Sequence, residues 1–156
     1  MIASIALFSI SLNASTIQAQ SAPVPPSLAE PLFVRVIKHD GPTKAQAMTS
    51  LCMIYTDKIV RSKTLPLLEA TTESTESLVL NGNQALEELM DAASQGALEE
   101  KKLEGLAFSK TYRAQKPGDL NKITLLEINK ASEMTKKNLS EAAQALVLQI
   151  DQLCDR

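Results

Sequence analysis

Cys52 and Cys154 are the only two cysteines of the chain, and they stand 102 positions apart. A bond between them would tie the C-terminus to a segment in the first half and reject every fold that keeps those segments apart. Closing a loop of about 100 residues removes denatured-state entropy worth about 4.7 kcal/mol in the chain-entropy model. That is a large share of the roughly 5–15 kcal/mol that holds a domain together. The spacing is unlike that of a catalytic dithiol, whose cysteines sit close in sequence. An exported chain with two cysteines usually pairs them, so an intramolecular Cys52–Cys154 disulfide is expected; the alternatives are a bond between chains or two packed thiols.

The compartment bears on that choice. The first 29 residues contain no charged side chain or histidine, and Ile2 to Leu12 is apolar with interspersed serines. A bilayer span needs about 20 predominantly apolar residues, so this stretch is too short to be one. Small residues follow, with a cleavage site near Ala19, and then Ala22-Pro23-Val24-Pro25-Pro26. The order is that of a secretory signal peptide, although the segment lacks the usual basic start. Residues 1–19 are therefore expected to be a signal peptide, 20–42 an irregular Pro-rich arm, and 43–156 the folded domain. The mature protein is expected to be secreted or periplasmic, where disulfides persist, with no stable membrane insertion after cleavage.

Aromatic residues are only 3% of the chain, which contains no tryptophan. A composition led by Leu, Ile, Ala, Glu, Lys and Gln favours helices packed through aliphatic side chains. Thr43-Lys44-Ala45-Gln46 reads as a capping box, and Met48, Leu51, Cys52, Tyr55 and Ile59 follow at steps of three and four. Pro66 interrupts, the polar run Thr71 to Ser77 reads as the wet face of a mediocre helix, and Asn81-Gly82-Asn83 is a strong turn. A further stripe runs through Leu86, Leu89, Met90, Ala93, Ala97, Leu103 and Leu106. After Pro117-Gly118-Asp119 a last one runs through Leu125, Ile128, Ala131, Thr135, Leu139, Ala142, Leu146, Ile150 and Leu153. Leu32 to Ile37 is the single extended-looking run. The expected fold is an all-α antiparallel up-down bundle of four helices over 43–62, 65–80, 83–113 and 119–154. The alternative is three long helices with a kink at Pro66.

The cysteines discriminate between these bundles. With a kink at Pro66, a rise of 1.5 Å per residue leaves Cys52 and Cys154 roughly 50 Å apart. Reversal at Pro66 brings them to about 15 Å, within the error of the helix ends. A disulfide needs Cα atoms within about 7 Å, so an intramolecular bond requires the chain to reverse there.

Charge is unevenly distributed. Residues 35–63 hold six basic side chains against two acidic ones, and residues 69–104 hold nine acidic against two basic. Opposite segments of this kind are expected to lie side by side. Chemistry is sparse by comparison. His39 is the only histidine and sits in a Gly/Pro turn, so neither a bundle di-metal site nor a structural zinc can be assembled, and a haem on His39 with a methionine lacks context. No G-x-S-x-G elbow accompanies the His39-Asp40 pair. Glu87-Glu88 and Glu99-Glu100, read on helices, diverge by about 100° of arc. Asn138-Leu139-Ser140 forms a glycosylation sequon, read as unused in a helix. Lysines without aromatic interleaving or a Gly-rich loop argue against nucleic acid and nucleotides.

These residues predict no catalytic, cofactor-binding or metal-binding residues and no cofactor. The functional expectation is an exported, non-enzymatic protein that binds an unidentified protein partner or acts structurally or as an inhibitor. The alternative is a carrier holding a small apolar ligand in a cavity between helices, next to the Ala-rich seams at Ala93, Ala97, Ala131 and Ala142. An enzyme would have to use carboxylates or Tyr55 and Tyr112.

Overall fold

A computed structural model describes residues 30–41, 43, 46–78, 80 and 84–156. The expected signal peptide, the first part of the Pro-rich arm and the Asn81-Gly82-Asn83 turn lie outside the described residues. The chain runs β1 (Phe33–His39), β2 (Met48–Ile54), β3 (Lys58–Leu65), β4 (Ala70–Ser77), α1 (Gln84–Ser94), β5 (Leu98–Lys102), β6 (Phe108–Gln115), β7 (Lys122–Asn129), β8 (Met134–Asn138) and α2 (Glu141–Cys154). All eight strands join one antiparallel sheet in the order β4-β3-β2-β1-β6-β7-β8-β5. The all-α bundle is thereby overturned, in both its four-helix and its three-helix forms. Pro66 does reverse the chain, but it opens a short 3-10 turn, Pro66–Leu68, between two strands. Among the described residues no helix is long and apolar enough to cross a membrane.

Local chemistry explains why the helical spacing misled. Val, Ile and Thr are crowded into β1, β3 and β4, and their branched Cβ atoms fit a pleated sheet better than a helix. In β2, Cys52 and Ile54 face the core while Leu51 and Met53 face the other way, so both sides are apolar and alternation is hidden. In β7 a register shift opposite Tyr112/Arg113 leaves Leu125 without a partner between Thr124 and Leu126. Such a bulge slips the alternation by one residue, and Leu125 and Ile128 then fall three apart, as on a helix. Of the expected capping box, Thr43 and Gln46 are described; the Gln46 N–H donates to the Thr43 carbonyl (2.9 Å), and a strand, β2, follows where a helix was expected.

The strand order is nearly symmetric about the central β1–β6 pair. One meander steps outward through β2, β3 and β4 and leads to α1. The other steps outward through β7 and β8 and leads to α2, while β5 occupies its outer edge. Both helices pack on one face of the sheet. Phe33, Ile54, Ile59, Tyr112 and Leu125 from the sheet meet Met90, Ala93, Leu146 and Ile150 from the helices in a single core. The basic and acidic segments meet where β3 pairs with β4, Arg61 bonding Glu76 at 2.8 Å; on the other edge Glu100 on β5 bonds Lys136 on β8, outside the basic segment, at 2.7 Å.

Asn138 joins the two helices to the sheet. Its side chain is 2% exposed. The carboxamide nitrogen donates to the Ala93 carbonyl at the end of α1 (2.8 Å) and to the Thr124 carbonyl (3.4 Å). The carboxamide oxygen accepts from the Ser140 N–H (3.1 Å) and hydroxyl (2.8 Å), and the same hydroxyl caps α2 by accepting from the Ala143 N–H at 3.1 Å. The sequon therefore lies at a strand end, not in a helix, and its nitrogen is sealed in the interior. A Cβ on Gly96 would overlap the Asn138 side chain and approach the Ser140 hydroxyl to 2.9 Å. Gly96→Ala is expected to cost about 1–3 kcal/mol through overpacking, and Asn138→Ala a similar amount by removing the bond to the Ala93 carbonyl and the acceptor of the Ser140 N–H. Urea unfolding midpoints check both, and an unchanged midpoint for Asn138→Ala would remove its role as a hub.

Candidate functional site

One transverse row on the core face of the sheet gathers charged and polar groups beneath the end of α2. Cross-strand register places Arg61, Cys52, Arg35 and Tyr112 side by side on β3, β2, β1 and β6. All four reach the last turn of α2. Cys52 is bonded to Cys154, with Cα atoms 6.0 Å apart. Arg35 donates to Asp151 (2.9 Å) and Asp155 (2.6 Å), and the Tyr112 hydroxyl donates to Asp151 at 2.6 Å. Arg61 donates from Nε to the Cys154 carbonyl (3.2 Å) and from Nη2 to the Leu153 carbonyl (2.6 Å). Helix ends leave such carbonyls without intrahelical partners and concentrate negative dipole there, so a guanidinium is a fitting cap.

The electrostatics describe an anchor. Burial by itself would lower the pKa of Arg35, but hydrogen bonds and charge from Asp155 and Asp151 outweigh it and leave the value raised. The Arg35 hydrogen bond holds the Asp155 carboxyl below its ordinary range against a smaller opposing effect of burial. Burial, then the hydrogen bond to Asp151, pushes the Tyr112 phenol well up. A phenol held protonated and a guanidinium held by two carboxylates supply neither base nor nucleophile. Among the described residues no buried side-chain N or O lacks a hydrogen-bond partner, and no three His, Cys, Asp or Glu groups converge as metal ligands.

The opposite face of the sheet carries no described helix. Alternation puts Val34 and Val36, Leu51 and Met53, and Val60 on that face, and the register aligns Val34 with Met53 and Met53 with Val60. All five are half-buried and together make an aliphatic strip over three central strands. Beside it, between β1, β6 and β7, lies a groove of about 450 Å³ floored by Val36 and Thr111 and rimmed by Lys38, Glu127 and an exposed Asp40–Lys130 ion pair of 2.8 Å.

The other residues singled out in the sequence are dispersed. His39 lies at the end of β1 with its ring 5.7 Å from that of Phe108, and Tyr55 donates to the Met53 sulfur at 3.6 Å, with Lys58 over its ring. Glu99 and Glu100 are on a strand and point to opposite faces; Glu87 and Glu88 are exposed on α1. Of the expected Ala seams, Ala93 is buried, while Ala97 and Ala131 are exposed. The row around Arg35 escaped notice because its members are distant in sequence. The only available signal was two arginines in strand-like Val/Ile/Thr runs, Arg35 and Arg61. No protein-family model, curated protein or solved structure matches this chain.

Two titrations follow from the row. Asp155 has a depressed folded pKa, so its contribution is present above the unfolded value of about 3.9 and is lost as pH falls through the folded value. The stability gap between wild type and Asp155→Asn should therefore shrink on acidification below about pH 4, measured by urea unfolding at successive pH values. Tyr112 has the opposite sign: its contribution is full below about pH 10 and is lost as pH rises toward its raised folded value. The 295-nm absorbance difference between wild type and Tyr112→Phe should then grow only where circular dichroism reports unfolding. Ionisation in the folded protein near pH 10 would contradict this placement. At neutral pH Tyr112→Phe should cost about 1.5–3 kcal/mol, the range for a hydrogen bond to a charged group.

Proposed function

We propose that this chain is an exported, non-enzymatic protein that binds a partner protein through the helix-free face of its sheet. The aliphatic strip of Val34, Val36, Leu51, Met53 and Val60 carries the reading. A sheet face set against solvent alone alternates toward polar residues, whereas a contiguous apolar strip with a polar rim is the surface expected of a binding site. Polar groups stand around it: Lys38, Glu127, Asp40 and Lys130 on one side and Ser62 and Thr64 on the other. Export is supported by the uncharged, apolar first residues and by the Cys52–Cys154 disulfide, a bond that persists in oxidising compartments. The carrier reading has less behind it. The apolar cleft beside α2, lined by Leu125, Leu126, Val147 and Leu148, measures about 230 Å³. That is below the roughly 300–1,000 Å³ usual for ligand pockets.

Both parts are testable in the native host. The intact mass of the protein outside the cytoplasm, taken with and without reductant and thiol alkylation, should show cleavage near Ala19 and two thiols only after reduction. A photo-crosslinking residue at position 51 should yield a defined adduct, and one at Gln149 on the outer side of α2 should not. Adducts from Gln149 alone would reject the helix-free face as the binding surface.

A further inference from the structure

The two edges of the sheet are built differently. β5 is short, and four of its five residues, Glu99, Glu100, Lys101 and Lys102, are charged, which is how exposed edges are ordinarily protected from pairing. β4 is eight residues long, Ala70 to Ser77, and every one of them is exposed. It contains no lysine, no proline and no register shift, and no described element pairs with its outer side. Its Thr- and Ser-rich sequence suits an extended backbone, leaving a row of main-chain donors and acceptors open along the edge.

Two further features mark one end and one sign of this edge. The turn that leads into β4 presents Leu67 at 56% and Leu68 at 67% exposure, adjacent large apolar groups at the head of the strand. From Pro66 to Ser77 the chain holds Glu69, Glu73 and Glu76 and no basic residue. Glu76 is engaged by Arg61, but among the described residues Glu69 and Glu73 form no ion pair. Glu73 lies opposite Ser62 on the helix-free face, two positions from Thr75, which is opposite Val60 of the aliphatic strip.

We infer that β4 accepts an extended basic segment of a partner protein as a ninth strand, with a lysine or arginine set against Glu73 and an apolar side chain over Leu67 and Leu68. Main-chain hydrogen bonds supply the attachment in this mode of recognition, and side chains at alternate positions supply selectivity. Acidic groups on the edge favour a basic strand and disfavour an acidic one, which gives the surface its preference. The inference rests on the partner-binding reading above and names the partner's chemistry. The added strand would extend the face that bears the aliphatic strip.

The full mature chain would be titrated against a labelled ten-residue peptide alternating lysine with valine and ending in leucine, and against the same peptide with glutamate for lysine. The lysine peptide should bind at least about tenfold tighter at low salt, with the difference narrowing as ionic strength rises. Glu73→Lys should reverse the preference, and Leu67→Ser with Leu68→Ser should weaken both peptides. Both variants change exposed side chains and leave the core intact. Hydrogen exchange by NMR should show new protection at alternate amides between residues 70 and 77, a pattern that charge attraction alone does not produce. Equal binding of the two peptides, or protection elsewhere, would overturn the inference. So would sedimentation showing a dimer whose β4 amides are protected without peptide, since a second copy would then occupy the edge. If position 51 crosslinks a partner while β4 stays unprotected, strand addition fails and partner binding stands. Protection of β4 without any adduct from position 51 keeps strand addition and rejects the helix-free face as the binding surface.

Discussion

The grip of the transverse row Arg61, Cys52, Arg35 and Tyr112 on the last turn of α2 is the constraint on which the other contacts depend. A buried arginine is costly to desolvate, and Arg35 is tolerable here because it is hydrogen-bonded to two carboxylates of opposite charge, Asp151 and Asp155. The disulfide sets α2 at one point over the sheet, and the arginines and Tyr112 fix its direction and rotation. With α2 so placed, Leu146 and Ile150 enter the core beneath it, and Ala143 starts the helix against Ser140 and Asn138. α1 packs beside α2 on the same face, with Ala93 tied to Asn138.

Placing both helices on one face determines what the molecule offers to others. The core face is closed by α1, α2 and the disulfide. The other face and one edge keep groups that no described element covers: the aliphatic strip through Val34, Met53 and Val60, and the outer side of β4. The charged β5 edge and the unguarded β4 edge show that the two halves, similar in strand order, are not equivalent in chemistry. Opposite charges meet along β3–β4 and β8–β5, so they help align strands within the sheet, each exposed pair contributing under about 1 kcal/mol.

Much of the helix content near the C-terminus was legible from residue spacing, because Leu146, Ile150 and Leu153 lie on one side of α2 as their intervals require. The same method failed over β7, where the bulge at Leu125 turned a two-residue alternation into an apparent helical step. It failed over β2, where Leu51 and Met53 are apolar on the open face and Cys52 and Ile54 on the core face. The density of Val, Ile and Thr from Phe33 to Thr75 was the sign of strands and outweighs the three-and-four spacing read over the same region. Nearness of the two cysteines proved compatible with a topology other than the four-helix bundle, since a strand at the sheet centre and a helix above it meet as readily as two helices.

By itself the sequence determined features that depend on neighbours along the chain: the apolar stripe over Leu146, Ile150 and Leu153, an interruption at Pro66 and the presence of two cysteines able to join distant segments. The tertiary structure alone decided the sheet, its order, the row that holds α2 and the face on which both described helices lie. The physical reason is that a helix satisfies its backbone within a few residues, whereas a strand is completed by a partner that can lie anywhere in the chain. Whether a side chain such as Leu51 is core or surface is likewise settled only when the helices have chosen one side of the sheet.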